Sequence, residues 1–410
     1  MKKDYYIGLD VHKESVSIAY AIGGDREEAT YFGECGGSNL SVERALRKLA
    51  KKLGVKLREL KVCYEAGPTG YVLARRLQTL GVECTVMSPH KREGEKKERV
   101  KTDRRDARKI ARNFRNGDIV KVRIPPVLDE AVRDVCRART DASEDLIRAK
   151  QRLNAFLLRN GYRYSGKSRW TPAHMSYLRE LVLPEASQKI VLEEYLQAID
   201  ACNERVERLC AKMKELLTQW EWEPVVRALM ACRGFQEVAA MTLIAELGDL
   251  RRFPHPRKLM GFLGLVPGIY STATKRRLNS ITKCGNSHAR WMLVECSQHY
   301  RKSPKVSAQL TRRQQGQSKE IKALSWRMQN RLHSRYVKLR MRGKQENKVI
   351  VAIAREMCAF LWELQNRIAP HLIPESSNDQ TCVATPGSYS QSALRSDEPL
   401  REPILAPAGS

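Results

Sequence analysis

The N-terminal part of the chain alternates between strand-like and helix-like patterns, and this alternation restricts the fold more than any other feature of the sequence. Two apolar segments, 5–11 and 15–22, are separated by a short polar turn and predict a β-hairpin. Because successive side chains point to opposite faces of a strand, Gly8 and Asp10 should share one face, with the large aliphatic residues of that strand on the other. One face of the strand over 5–11 therefore carries the apolar residues that pack in a core. The other face carries the Asp10 carboxylate near the end of the strand.

Alternating helices and strands follow this hairpin. The pattern predicts a helix over about 41–54, a strand over 61–65, a helix ending near residue 80, a strand over 82–88, and a helix from Thr102 to about 115. Antiparallel strands that continue into strand–helix units are typical of an RNase H-like (RuvC-like) α/β/α fold. We expect such an α/β domain over residues 1–125.

Residues 126–222 are expected to be a helical coiled-coil linker. Apolar residues alternate spacings of three and four over four heptads, at Leu192, Tyr195, Ile199, Cys202, Val206, Leu209, Met213 and Leu216. Such a seam predicts a long helix in a coiled coil. An earlier helix, about 128–160, has a looser seam. Two arrangements would cover the seam, an intramolecular helical hairpin or oligomerisation through these helices, and we favour the second.

A mostly α-helical and basic C-terminal domain is predicted over residues 223–368. Between Asp249 and Glu295 there are nine Lys or Arg and no acidic residue, and residues 301–348 carry fifteen Lys or Arg against two Glu. Gly234 precedes a small apolar helix and predicts a helix-hairpin-helix-like turn, whose backbone N–H groups contact phosphates. The Ser-, Pro- and Gly-rich tail, 369–410, is expected to be disordered.

The charge of the chain predicts a polyanionic partner. Its formal net charge is +28, which favours nucleic acid. No apolar run approaches the roughly 20 residues that a bilayer span needs, and we expect no signal peptide and no membrane partner. Eleven scattered cysteines without a CxxC motif indicate a reducing compartment and exclude a disulfide framework or zinc site. We therefore expect a cytoplasmic, nucleoid-associated bacterial protein.

Four acidic residues predict a metal centre. Asp103 and Asp106 are three residues apart at the start of a predicted helix, so both should lie on one helix face. Asp10 and Glu65 end two of the predicted strands. Clustered carboxylates repel one another unless a cation lies between them, and hard cations such as Mg²⁺ or Mn²⁺ prefer oxygen ligands. The alternative is a solvated helix N-terminus, stabilised by the helix dipole.

Basic residues flank these acids in the sequence. They also flank a separate, hydroxyl-rich segment, residues 271–274. Ser271, Thr272 and Thr274 precede a basic triplet, an arrangement that suits phosphate contact, and one hydroxyl has the chemistry of a nucleophile. Hydrogen bonding to phosphates alone is the interpretation that the residue types favour. The residues predicted to bind nucleic acid are Arg104, Arg105, Lys275, Arg276, Arg277, Lys283 and Arg290.

With these motifs in place, the chain resembles the IS110 family of insertion-sequence transposases, also called DEDD transposases. The resemblance covers about residues 5–366 and is carried by residues 8–13, 64–71, 100–107, 262–267, 281–283 and 285–286. It implies a RuvC-like domain joined through a coiled coil to a C-terminal transposase domain. It also implies a Mg²⁺-dependent DNA recombinase that acts on element ends and target DNA, forms an oligomer and is guided by a structured bridge RNA. The four acids correspond to Asp10, Glu65, Asp103 and Asp106.

The chain departs from this family at the nucleophile. Aligned through Pro267 and the basic triplet, the family's Ser-Gly pair falls on Thr272 and Ala273, while Ser271 lies one residue early. Asn279 stands where many members have glycine. Three alternatives follow: Ser271 is the nucleophile, Thr272 is the nucleophile, or the copy has decayed. The threonine methyl crowds an attacking hydroxyl, and alanine disfavours a positive φ.

Two functions besides transposition fit the same residues. One is a catalytically decayed relic that only binds DNA or RNA. The other is an RNase H-fold nuclease or junction resolvase, which would use water as its nucleophile instead of a side chain. The carboxylates are compatible with all three functions, and only the segment 271–274 separates them.

Overall fold

The computed structural model describes residues 3–24, 27–89, 102–271 and 276–374, without the side chains of residues 269–278. The described residues form two compact units, one ending at Ile124 and one beginning at Pro125. The predicted tail lies outside the described residues from 375 onward. The boundary predicted at 222 within the second unit stays a prediction.

A five-stranded mixed sheet forms the centre of the first unit. Its strands are β1 (Tyr5–Val11), β2 (Ser15–Ile22), β3 (Thr30–Gly36), β4 (Leu60–Glu65) and β5 (Glu83–Met87), and its helices are α1 (Asn39–Leu53), α2 (Val72–Thr79) and α3 (Asp103–Arg115). The strand order is β3-β2-β1-β4-β5. The first three strands are antiparallel, whereas β1, β4 and β5 are parallel. This is the α/β arrangement that the alternating pattern predicts.

The two faces of the sheet have different cores. On one face Leu9 and Tyr64 are fully buried against α1 and α2, together with Leu46 and Leu77. On the other face α3 packs on β1 and β2 through small residues, where Ala107 and Ala111 form a cluster with three alanines of β2 and its following turn, while Ile110 and Phe114 pack on Cys63 and Met87. The difference in residue size lets α3 lie closer to the sheet than a leucine-rich interface would allow.

Gly8 determines how closely α3 approaches β1. A Cβ atom at this position would collide with the backbone of Ala107 and Ala111. Gly8 is paired with Ala19 on the neighbouring strand, so the sheet presents two adjacent small residues to the helix. Two residues further along the same face lies Asp10.

Strand β3 was not predicted from the sequence. Its residues, 30–36, contain two glycines, and the β2–β3 pairing shifts register between Ile18 and Ala19. Gly33 at this irregularity has φ +151°. As an edge strand with a bulge, β3 depends on pairing with β2 and not on an apolar pattern of its own.

The second unit is mainly helical, as predicted. Its elements are α4 (Val127–Arg159), α5 (Pro172–Glu180), α6 (Ala186–Leu217), α7 (Glu223–Met230), α8 (Glu237–Leu247), α9 (Pro256–Phe262), β6 (Pro267–Ser271), β7 (Arg276–Ile281), α10 (Ser287–Ser297), α11 (Ala308–Arg313), α12 (Lys319–Met341) and α13 (Glu346–Glu363). Strands β6 and β7 form an antiparallel hairpin, so the hydroxyl-rich segment belongs partly to a strand. Among the described residues, no helix is long and apolar enough to span a membrane.

The predicted heptad seam packs against α4 of the same chain. Leu192 and Ile199 of α6 share a core with Leu153 and Phe156 of α4, and all eight seam residues are buried or half-buried. The C-terminal end of α6 belongs to a different and larger hydrophobic core. Met213 shares that core with residues of α7, α8 and α13. The intramolecular hairpin, which was the less favoured of the two arrangements, therefore covers the seam, and the homo-oligomer stays a prediction.

We predict that Gly8→Ala destabilises the protein because the added methyl group pushes α3 away from β1. Overpacking of this kind costs about 1–3 kcal/mol, which denaturant unfolding would measure. Gly36→Ala is the matched control, since its Cβ would meet only ordinary contacts with Ser41. Equal stability of the two variants would contradict the close approach of α3.

Candidate functional site

Two of the four predicted acids come from neighbouring parallel strands. Leu9 of β1 is paired with Tyr64 of β4, so Asp10 and Glu65 are the next residues along the two strands. Both side chains should lie on the α3 face, because side chains alternate along a strand. The Asp10 carboxyl is largely buried, and Glu65 is exposed at the strand end.

The other two acids come from the first turn of α3. Thr102 occupies the N-cap position, and Asp103 and Asp106 follow it. The small residues one turn further along α3 bring this helix end toward β1. Asp103 is exposed and Asp106 is half-buried, and both carboxylates act electrostatically on Asp10. The structure thus gathers Asp10, Asp103 and Asp106 at one edge of the sheet.

His12 joins this group, although it is not among the site residues predicted from the sequence. Its Nε2 atom lies 3.3 Å from Oδ2 of Asp10 and 3.7 Å from Oδ1 of Asp103. One ligand atom from each of the three residues lies within 4.8 Å of the others. The signal in the sequence was the presence of a metal-ligating residue type two positions after Asp10, in the turn that follows β1.

The electrostatics of Asp10 fit a site for a cation. Burial raises the pKa of Asp10; the charge and hydrogen bond of His12 lower it, and the carboxylates of Asp106 and Asp103 raise it again. The net shift is upward, so the charged form is disfavoured in the protein alone. A divalent cation would reverse this balance, and the oxygen-rich donor set suits Mg²⁺ or Mn²⁺.

A second polar cluster holds the loop that follows the β6–β7 hairpin. The Glu246 carboxylate accepts hydrogen bonds from Arg137 (2.7 and 2.9 Å) and from Asn286 (2.6 Å), and it lies 2.9 Å from Nδ1 of His288. Its side chain is fully buried. Burial alone would raise the pKa of Glu246, but the hydrogen bonds from His288, Arg137 and Asn286 together hold it at about 2. No local pattern in the sequence marks this residue, because its partners are distant along the chain.

Two of the C-terminal motifs that carry the resemblance contact each other. Thr282 N–H donates to the Val266 carbonyl (2.9 Å), and Lys283 N–H donates to the Gly264 carbonyl (3.1 Å). A Cβ on Gly285 would collide with the carbonyl of Phe262. The two motifs therefore form one folded loop pair at the base of the hairpin.

The residues predicted to bind nucleic acid have different surroundings. Arg290 donates to the carbonyls of Leu263 (3.0 Å) and Cys284 (2.8 Å), so it supports the same loop pair. Arg104 lies over the ring of Tyr31, 5.0 Å from its centroid. Arg105 is exposed on α3, and Lys283 is exposed with φ +56°.

The predicted nucleophile segment is only partly described. Ser271 is backbone-paired with Arg276, and Tyr270 with Arg277, although none of these side chains is described. Thr272 and Lys275 lie outside the described residues. The roles predicted for these residues stay predictions.

Comparison with known proteins gives concordant matches along the chain. Residues 7–160 match a transposase family model of DEDD type, and residues 226–311 match the model described as Transposase IS116/IS110/IS902 family. A protein of Sinorhizobium fredii named as transposase y4qE is 38% identical over 362 residues, covering 88% of each chain. The transposase for insertion sequence element IS1533 of Leptospira borgpetersenii is 30% identical, covering 84% of this chain and 99% of that one. A family 20 transposase of Pseudomonas aeruginosa is 24% identical, covering 75% and 84%.

We predict that Asp10→Asn stabilises the cation-free protein at neutral pH. The native pKa of Asp10 lies above its ordinary value of 3.8, so the native state binds this proton more tightly and stability falls as pH rises through that interval. The asparagine removes this penalty, and the gain should vanish below pH 3.8, where the carboxyl is protonated in both states.

Thermal unfolding with and without Mg²⁺ or Mn²⁺ checks this prediction. The cation should raise the Tm of the parent and of an Asp118→Asn control, but not that of Asp10→Asn, because ligand binding stabilises only a protein that binds it. A variant that is less stable than the parent at pH 7 without cation would contradict the charge balance described for Asp10.

Proposed function

Because the chain belongs to the IS116/IS110/IS902 family of transposases, we propose that it is the DNA-recombining enzyme of an insertion sequence and that Asp10, Glu65, Asp103 and Asp106 form its metal-dependent catalytic centre. The observation that carries this proposal is the convergence of Asp10, Asp103 and Asp106, with the raised pKa of Asp10. Asp10 comes from β1, whereas Asp103 and Asp106 come from the first turn of α3, so the fold brings together two segments that are distant in sequence. DNA is the partner that the family name and the net charge of +28 both support.

The carboxylates would hold one or more Mg²⁺ or Mn²⁺ ions. When bound, such an ion supplies a Lewis acid that polarises a DNA phosphate. Asp10 and Glu65 would supply ligands from β1 and β4. Asp103 and Asp106 would supply ligands from the first turn of α3. Arg104 and Arg105, beside these acids on α3, would hold the phosphate backbone.

A hydroxyl of Ser271 or Thr272 is proposed to attack the DNA phosphate. Its oxygen would form a new bond to phosphorus, the bond from phosphorus to a deoxyribose oxygen would break, the attacking hydroxyl would lose its proton to water, and the released deoxyribose oxygen would take up a proton. We favour Ser271, because a primary hydroxyl is less hindered than that of threonine. Lys275, Arg276, Arg277 and Lys283 would hold the phosphate near this segment. The decayed relic remains the second candidate because Thr272-Ala273 replaces the family's Ser-Gly pair.

The remaining partners are also part of the proposal. A structured noncoding RNA from the element would guide target choice, and the basic segments 251–290 and 301–348 would carry most nucleic-acid contacts. We further propose a homo-oligomer, a dimer or tetramer. Since α4 covers the heptad seam, assembly would need other surfaces, such as the exposed Leu158 and Ile190 of the helical hairpin. Light scattering that gave the mass of a monomer would contradict this assembly.

We predict that Asp106→Ala abolishes DNA strand cleavage and leaves overall DNA affinity within about threefold. A metal ligand is needed for chemistry, whereas phosphate contacts by basic residues dominate affinity. Cleavage of element-end DNA and a filter-binding titration would measure the two effects separately. Asp118→Ala, which removes an exposed carboxylate after α3, should retain both. Full cleavage by Asp106→Ala would refute the metal centre.

The nucleophile is tested by a DNA-linked protein adduct. Incubation of the protein with element-end DNA and the transcribed noncoding ends of the element should trap such an adduct in the parent. Loss of the adduct only in Ser271→Ala identifies Ser271, and loss only in Thr272→Ala identifies Thr272.

Two other outcomes of this experiment separate the alternatives. If the parent is inactive and the double change Thr272→Ser with Ala273→Gly restores joining, the chain is a relic on an intact scaffold. Cleavage without any adduct in the parent would instead support a nuclease that uses water. An adduct that survives both alanine changes would place the nucleophile outside this segment.

A further inference from the structure

His12 lies beside the proposed metal centre, although the four predicted metal ligands are all carboxylates. Its Nε2 atom approaches Oδ2 of Asp10 (3.3 Å) and Oδ1 of Asp103 (3.7 Å) from one side. Adjacent ligands around an octahedral cation at about 2.1 Å are separated by about 3 Å. The two distances from His12 are close to this spacing, and all three residues offer ligand atoms within 4.8 Å of one another, so side-chain rotations could bring them into one coordination shell.

The backbone fixes His12 in this position. Its N–H donates to the Ser15 carbonyl (2.9 Å) and closes the turn between β1 and β2. His12 follows directly after β1, which ends at Val11, so its position is set by this turn and lies two residues beyond Asp10. An imidazole has only two rotatable side-chain bonds, so a fixed backbone leaves it few positions.

A structural role in the core does not explain this histidine. About half of its side chain is exposed, 52% against 17% for Asp10, so it does not serve to fill the core. Its Nε2 atom lies near two carboxylates, those of Asp10 and Asp103. A simple hydrogen bond between His12 and Asp10 would not account for the second carboxylate, that of Asp103. A cation shared by the three groups accounts for the whole arrangement.

We propose that His12 is a nitrogen ligand of the catalytic cation, with Asp10 and Asp103 as oxygen ligands, and that it shifts the preference of the centre from Mg²⁺ toward Mn²⁺. Mg²⁺ is bound almost entirely by oxygen, whereas first-row transition metals also accept imidazole. Loss of the nitrogen therefore weakens Mn²⁺ binding more than Mg²⁺ binding. This inference rests on the proposed metal centre and adds a ligand to it.

Pulsed electron paramagnetic resonance of bound Mn²⁺ tests the proposal directly. The parent protein should show nuclear modulation from a coordinated ¹⁴N, and His12→Gln should lack it. In equilibrium titrations we expect the Mn²⁺ Kd of His12→Gln to rise about tenfold or more, with a change in the Mg²⁺ Kd of less than about threefold. His371→Gln, which changes an exposed histidine in the second unit, is the matched control and should leave both measurements unchanged.

The outcomes separate this inference from the proposed function. Mn²⁺ that is lost in Asp10→Ala but shows no ¹⁴N modulation in the parent would overturn the His12 ligand and leave the carboxylate centre intact. Equal changes in the Kd of both metals would overturn the shift in preference. If Asp10→Ala binds Mn²⁺ as the parent does, both the His12 ligand and the carboxylate centre are refuted.

Discussion

The close contact between α3 and β1 is the constraint on which the candidate centre depends. At Gly8 the helix backbone lies where a side chain would otherwise be, and the small faces of Ala107 and Ala111 complete the contact. Close packing fixes the rotation and height of a helix on a sheet. Since the acidic first turn of α3 belongs to the same rigid helix, Gly8 also determines where the helix carboxylates lie relative to Asp10.

Glu246 and Asp10 are both largely removed from water, but their pKa values shift in opposite directions. Glu246 is surrounded by donors from Arg137, Asn286 and His288, and its pKa falls to about 2. Burial raises the pKa of Asp10, and the neighbouring carboxylates of Asp106 and Asp103 raise it further, against the lowering effect of His12. The first arrangement is satisfied within the protein and stabilises a loop. The second leaves Asp10 with two like charges nearby, and pKa values perturbed in this way are concentrated at functional sites.

Several elements could be predicted because their signals are local. The acids at the ends of β1 and β4, the N-terminus of α3 at Thr102 and the long helices α4 and α6 follow from alternation, capping and heptad spacing. Strand β3 could not be predicted, since its glycines and bulge give no periodic pattern and its pairing with β2 creates it. The helix that covers the heptad seam of α6 could not be predicted either. An apolar seam indicates that another helix must pack on it, but it does not indicate whether that helix belongs to the same chain or to another copy.

The sequence by itself determined most of the strands and helices of the first unit, the long helices α4 and α6, the acidic residues at the ends of β1 and β4, and the family to which the chain belongs. Only the tertiary structure decided that Gly8 allows α3 to reach the sheet, that His12 joins Asp10 and Asp103, and that Glu246 holds the loop around Asn286. Local patterns arise from neighbours along the chain, and these can be read in order. Contacts such as Arg137 with Glu246 join residues more than a hundred positions apart, and their geometry exists only once packing has fixed both elements.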